Sequence, residues 1–396
     1  MDGGWLSEME PASTREGKMT KRAFLSGLAV YVAMSCAVAA QPSDPNPAMN
    51  NPDKVSWELF VHVSKPAGVP GKNDVVFESW ASNQDTFRQD PLFPGASGPP
   101  SCGPPPLAVA AAPVIPAVAS AKVLVVPALI DLGPRAPGLR PHVVAGGGEE
   151  VRRNQATFDF IYCRKLYTRA GLKAAFAAGT PISFPIDSIE VKADWESADG
   201  RDRSLYYVNK ASDGKEYALV AMHVISKRVP NWTWATFEHK NTGGRCDYMG
   251  CRDNFGATVA FEGPRTPAGG QYPSCDKTPA LKKMFTDANM PPLWENYCLK
   301  GSQVDFTTPT GLPTVLGNSV IENGFARTSS CLTCHSRASV SSTGDPAQGA
   351  GFLPSGQSPS GPPDPNWFYS NLGQPNQSLL ALQTDFVFSI PLRAVP

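Results

Sequence analysis

Hydrophobic and polar positions alternate most clearly between residues 189 and 195, at the head of a strand-rich block. Ile189, Val191, Ala193 and Trp195 take every second place, and Leu205–Val208, Glu216–Ser226 and Trp232–His239 follow over short connections. A period of two is the strand period, and short links between successive strands predict an antiparallel sheet. Ser56–Ser64 shows the same alternation, with Trp57, Leu59, Val61 and Val63 on one side and Glu58, Phe60 and His62 on the other. It predicts a half-buried strand, and Val75–Ala81 a second, shorter one. Helical spacing appears in Asn154–Tyr167, where Phe158, Ile161, Tyr162 and Leu166 recur, and Thr168 is suited to cap a helix running through Leu172 and Phe176. Pro279–Ala288 reads as a short helix and Asn318 as the cap of a helical stretch toward Phe325. Ser329 or Ser330 caps the turn after it, and Asp385–Leu392 reads as a closing strand. The fold class expected is α+β, an antiparallel sheet-rich core with short helices.

Composition changes this picture in two ways. The 40 prolines and 35 glycines cluster, so long Pro/Gly/Ala-rich loops surround the core. Residues 91–148 are the strongest case, an aperiodic Pro/Ala/Gly-rich insertion between N-terminal strands in 41–90 and an α+β core in 149–310. The 35 Lys and Arg balance 35 Asp and Glu, which argues against a nucleic-acid partner bound through bulk charge. At the N-terminus, Lys21 and Arg22 precede an apolar run from Ala23 to Val38, and Ala39 and Ala40 offer small residues before Gln41. Residues 1–40, with a start at Met1 or Met19, therefore read as a signal peptide for export to the periplasm. An uncleaved anchor, or a lipoprotein modified at Cys36, is the alternative. Pro113, Pro116 and Pro127 interrupt the apolar stretch 106–132, so no integral membrane domain is expected beyond the signal segment.

Nine cysteines and five histidines carry most of the chemistry. Cys331-Leu332-Thr333-Cys334-His335 is a C-x-x-C-H string, the attachment sequence for c-type haem. Residues three apart on a helical turn share a face, so both thiols can reach one porphyrin, and the histidine beside them can serve as proximal iron ligand. A zinc half-site would need a second ligand pair, and a thioredoxin-like dithiol would need to follow a strand in a βαβ unit. Six further cysteines remain beyond the signal segment: Cys102, Cys163, Cys246, Cys251, Cys275 and Cys298. They are enough for three disulfides, with Cys246–Cys251 and Cys275–Cys298 the local pairings expected.

Through this motif the chain resembles the c-type cytochromes. The resemblance implies one covalent haem c on Cys331 and Cys334, iron ligation by His335, and one-electron transfer to a redox partner protein. Together with Trp232-Thr-Trp-Ala-Thr-Phe-Glu-His239, the motif also resembles large bacterial proteins of the cytochrome c family. This is not the pattern of a small all-helical cytochrome c, whose haem motif comes early with a methionine downstream. Here the 61 residues after His335 contain neither Met nor His, so a distal ligand of those types from this chain must come from upstream of the motif, which itself lies in a haem-attachment segment over 311–396. His223 ranks first, inside the apolar run Leu219–Ile225, then His239, with Met249, Met284, Met290 and His62 behind and His142 in the insertion. An open iron is the other possibility, and with it an enzyme or gas sensor. Trp232 and Trp234 are candidate haem-pocket walls, and Arg327 and Arg337 are candidate partners for haem propionates. No catalytic triad, phosphate loop or carboxylate pair is apparent, so electron transfer is expected ahead of enzymatic turnover.

Overall fold

The structure, a computed structural model, describes residues 46–68, 74–103, 147–247, 249–259, 272, 274–326, 329–347 and 360–396. The signal segment, His142, Arg327 and most of the insertion lie outside these residues. The core is a seven-stranded sheet in which every pairing is antiparallel. Its strands are β1 (Ala81–Ser82), β2 (Gly148–Arg153), β3 (Ile189–Ser197), β4 (Val208–Lys210), β5 (Glu216–Ser226), β6 (Thr233–His239) and β7 (Tyr297–Gln303). They run in the order β1-β2-β3-β5-β6-β7, with β4 also pairing β5. The expected α+β class, an antiparallel sheet with short helices, is what the chain adopts. Three of the expected strands are β3, β5 and β6; the fourth begins at Val208, and Leu205–Tyr207 precede it as turn.

Ser56–Ser64 is not a strand. It is the second half of a helix, α2 (Pro52–Ser64), which follows the four-residue α1 (Pro47–Asn50). Pro52 at the first helical position and Asp53 in the first turn favour a helix start. The misleading alternation has a physical cause: α2 buries Trp57, Leu59, Phe60, Val61 and Val63, so apolar residues surround most of it. It packs on one sheet face, with Trp57 5.0 Å and Phe60 4.5 Å from the Phe237 ring. Met222, Ala235, Phe237, Leu299 and the helix α6 (Pro279–Asp287) complete this apolar layer. Fully burying a side chain such as Phe60 contributes about 1.5 to 3 kcal/mol.

Three shorter expectations also change. Val76–Ser79 is a single tight turn, and only Ala81–Ser82 pairs as a strand, leading into the four-residue α3 (Asn83–Thr86). Beyond Asn318 the chain forms turns rather than a helix, with Asn318 Oδ1 accepting from the Val320 and Ile321 N–H groups. Asp385–Leu392 does not close the sheet. It forms a turn and a short helix, and the C-terminal strand pairings are instead Tyr369–Ser370 with Ser378–Leu379 and Leu382–Gln383 with Ser339–Val340. Helices α4 (Gln155–Cys163) and α5 (Arg169–Ala178) form as their periodicity predicts, capped by Asn154 and Thr168.

Candidate functional site

The C-x-x-C-H residues form α7 (Cys331–His335), a single helical turn. Ser330 caps it, its Oγ accepting from the Thr333 N–H at 3.4 Å. Gln303, at the end of β7, supplies what so short a helix lacks: its Oε1 accepts the Leu332 N–H at 2.9 Å and its Nε2 donates to Ser330 Oγ at 2.9 Å. One N-terminal donor that the helix itself cannot pair is thereby satisfied from the sheet. Gly317 allows the approach of this segment, since a β-carbon there would stand 2.4 Å from Ser329 Oγ. Residue after residue, the motif is held to the sheet.

Within α7, Cys331 and Cys334 are buried thiols that take no part in a disulfide. Burial, then the nearby Glu322 carboxylate, pushes the Cys331 thiol well above its usual range. His335 Nδ1 lies 2.9 Å from the Phe386 carbonyl oxygen. A carbonyl can only accept, so Nδ1 carries the proton and Nε2 presents its lone pair. Burial pushes the His335 pKa down to about 4, so the ring is neutral at neutral pH. Trp234 packs with its ring centroid 4.6 Å from that of His335, and Phe388 meets it edge-on at 5.1 Å.

The motif sits over the sheet face opposite α2. Register places Lys192, His223, Thr236 and Gly301 side by side across β3, β5, β6 and β7. Directly opposed residues share a face, so Lys192, His223 and Thr236 project together. The His223 Nδ1 lies 2.9 Å from Thr236 Oγ1 and its Nε2 3.0 Å from Glu322 Oε1. Burial opposes ionisation of Glu322, yet His223 beside it holds the carboxyl down at about 2. The Cys331 thiol donates to the Leu316 carbonyl at 3.4 Å. Met222, next in sequence, lies in the apolar layer on the other face.

The remaining expected residues divide. Trp234 is in the site, and Trp232 is buried in the same apolar cluster as Cys331 and Leu332, against Phe184. Arg337 is buried, its guanidinium carbon 4.3 Å from the centre of the Trp367 ring, and its Nε has no hydrogen-bond partner among the described residues. His239 is on the other face. Its Nε2 donates to the Leu205 carbonyl at 3.1 Å and its Nδ1 accepts from the Asn241 N–H at 3.2 Å, while its ring stacks on Tyr206. No nitrogen lone pair is left for a metal. Met284 and Met290 pack into the apolar layer around α2, Met249 lies within the Cys246–Cys251 loop, and His62 is exposed on α2. Disulfides join Cys246–Cys251, Cys275–Cys298 and Cys102–Cys163. The third ties the start of the insertion to the end of α4.

Several site residues carried no sequence signal. Gln303, Thr236, Glu322 and Phe386 act through contacts with residues 13 to 99 positions away in the chain, and none belongs to a recognisable string. Lys192 is the exception, since its place in an alternating strand opposite His223 was readable once the pairing was known.

Chemically, the arrangement offers two thiols on one helical face, an imidazole with a free Nε2, and a buried guanidinium without an Nε partner two residues on. That donor set fits a covalently held haem with a carboxylate edge. Among the described residues no group of three or more His, Cys, Asp or Glu side chains is placed to hold a metal ion, so the C-x-x-C pair lacks the companions of a structural zinc site. Among the same residues no helix is long and apolar enough to cross a membrane. Compared with models of protein families, with curated proteins and with solved structures, the chain matches none.

Proposed function

We propose that this chain is an exported monohaem c-type cytochrome that passes single electrons to a redox partner protein. One observation carries the reading. In a single turn that bears both thiols, His335 gives its Nδ1–H to the Phe386 carbonyl and keeps Nε2 for iron. Ligating histidines are commonly oriented by such a bond from the other ring nitrogen. Cys331 and Cys334 would hold the haem covalently, His335 would ligate it, and Arg337 would meet a propionate. A haem bound there supplies reversible one-electron chemistry. The protein's own part is to exclude water with Trp234, Phe386 and Phe388 and to fix the imidazole as the neutral tautomer.

Dithiol redox chemistry is the poorer fit, because a reactive cysteine needs an accessible thiolate and burial disfavours that form of Cys331. Three disulfides elsewhere in the chain support the exported setting. A second reading has a specific observation behind it: both ring nitrogens of His223 are already engaged, by Thr236 and Glu322. If His223 stays so engaged, the iron keeps an open position, and a ligand sensor or redox enzyme follows. Absorption spectra of haem-loaded protein with and without carbon monoxide separate the two. A low-spin spectrum indifferent to carbon monoxide supports the carrier, and a shifted one supports the open iron.

A further inference from the structure

His335 takes its orientation from a turn that ordinary residues seldom adopt. Asp385 and Phe386 are consecutive, neither is glycine, and their φ angles are +50° and +70°. Side chains with a β-carbon are disfavoured there, so the surrounding structure must enforce the conformation. The Asp385 carboxylate is the enforcing group. Its Oδ1 accepts from Lys227 Nζ at 2.6 Å, and its Oδ2 accepts from the Phe184 N–H at 2.7 Å.

Lys227 is itself fixed. Its Nζ donates to the Pro230 carbonyl at 2.7 Å and lies 5.8 Å from the centre of the Trp232 ring. The ion pair is buried, the two side chains being 10% and 7% exposed. One partner directly follows β5 and the other belongs to the C-terminal segment, so the pair ties that segment to the end of the strand. On the far side, the Thr384 N–H donates to the Ala338 carbonyl at 2.8 Å and Thr384 Oγ1 to the Val387 carbonyl at 3.1 Å. The turn is clamped at both ends, and the group it presents is the Phe386 carbonyl that receives the His335 Nδ1–H.

We propose that the Lys227–Asp385 pair is a positioning device for His335, setting the tautomer and the donor strength of its ring by holding the Phe386 carbonyl in place. The proposal rests on the haem reading. A histidine that donates firmly to an acceptor is a stronger ligand through its other nitrogen, and a stronger ligand favours the ferric form. With the clamp loosened, the midpoint potential should rise.

The test compares Asp385→Asn, Lys227→Met and the conservative Lys227→Arg in the full haem-loaded chain. The potential is measured by spectroelectrochemical titration, alongside thermal unfolding. An upward shift in the first two, with Lys227→Arg near wild type, is the expected result. Lowered unfolding temperatures at an unchanged potential would show a purely structural role and overturn the proposal. Should the wild type carry no covalent haem, the haem reading falls, and the clamp is tested on the metal-free chain by nitrogen NMR. There, wild type should show His335 protonated at Nδ1 alone, and both disruptive variants a mixture of tautomers. Identical tautomer populations in all the chains would overturn the clamp independently.

Discussion

The Nδ1 of His335 lies 2.9 Å from the carbonyl oxygen of Phe386, a residue 51 positions further along the chain. This contact decides which nitrogen of the ring is free, and it joins the motif to the C-terminal segment. At neutral pH the ring should be observed as the Nδ1-protonated tautomer in long-range nitrogen–proton NMR spectra of the metal-free protein. The Nε2-protonated form as the major species would contradict the geometry on which the site depends.

Gln303 bridges the sheet and the motif, accepting from the Leu332 N–H and donating to Ser330 and Thr314. Replacing it with leucine leaves a buried N–H without a partner, which costs about 1 to 3 kcal/mol. Urea unfolding of Gln303→Leu should show a loss of that size. A variant within a few tenths of wild type would mean that the motif does not depend on the end of β7.

Glu78 gives a pH dependence with a definite sign. Burial pushes its carboxyl from 4.5 up to about 7, although Tyr207, the Val75 N–H and Asn209 all donate to it. Its folded pKa exceeds its unfolded one, so its contribution to stability is fully present below about 4.5 and is lost as pH rises through about 7. The loss is about 3 to 4 kcal/mol for a shift of this size. Unfolding free energies of wild type should fall between pH 5 and 8 by more than those of Glu78→Gln. Parallel curves for the two proteins would place the titration elsewhere.

Trp57 tests the corrected helix. It is fully buried, its Nε1 donates to Asp253 at 2.9 Å, and its ring meets Phe60, Phe237 and Phe285. Truncation to alanine should destabilise the chain by about 3 to 5 kcal/mol, whereas His62→Ala on the exposed side of the same helix should change little. Phe60→Ala should be costly as well, since Phe60 is also fully buried; an effect at Phe60 as small as that at His62 would suit the half-buried strand, which puts both on the side opposite Trp57.

The contrast between α2 and the central strands shows what was readable in the residues. Strand β3 kept its period of two because its two faces meet different layers, apolar under α2 and mixed under the motif, while β5 was readable from its continuous apolar run and short connections. Helix α2 lost its period of 3.6 because tertiary packing buries it on nearly all sides, so an accidental alternation of Trp57, Leu59, Val61 and Val63 read as a strand. Asp385–Leu392 misled for another reason: its apolar residues serve a turn whose conformation is set by Lys227, far away in sequence. At the site, the covalent and ligating candidates were visible as one string. Their supports were not, because Gln303, Glu322, Thr236 and Phe386 matter only through contacts that folding creates.

Covalent attachment of haem is the central claim, and it is read most directly on the full chain produced in a host with haem-attachment machinery. After denaturation and acid–acetone extraction, the pyridine haemochrome spectrum of the polypeptide reports what remains bound. One haem per chain should resist extraction in wild type, and Cys331→Ala/Cys334→Ala should retain none. A wild-type polypeptide that emerges colourless, with both thiols free to react, would contradict the account.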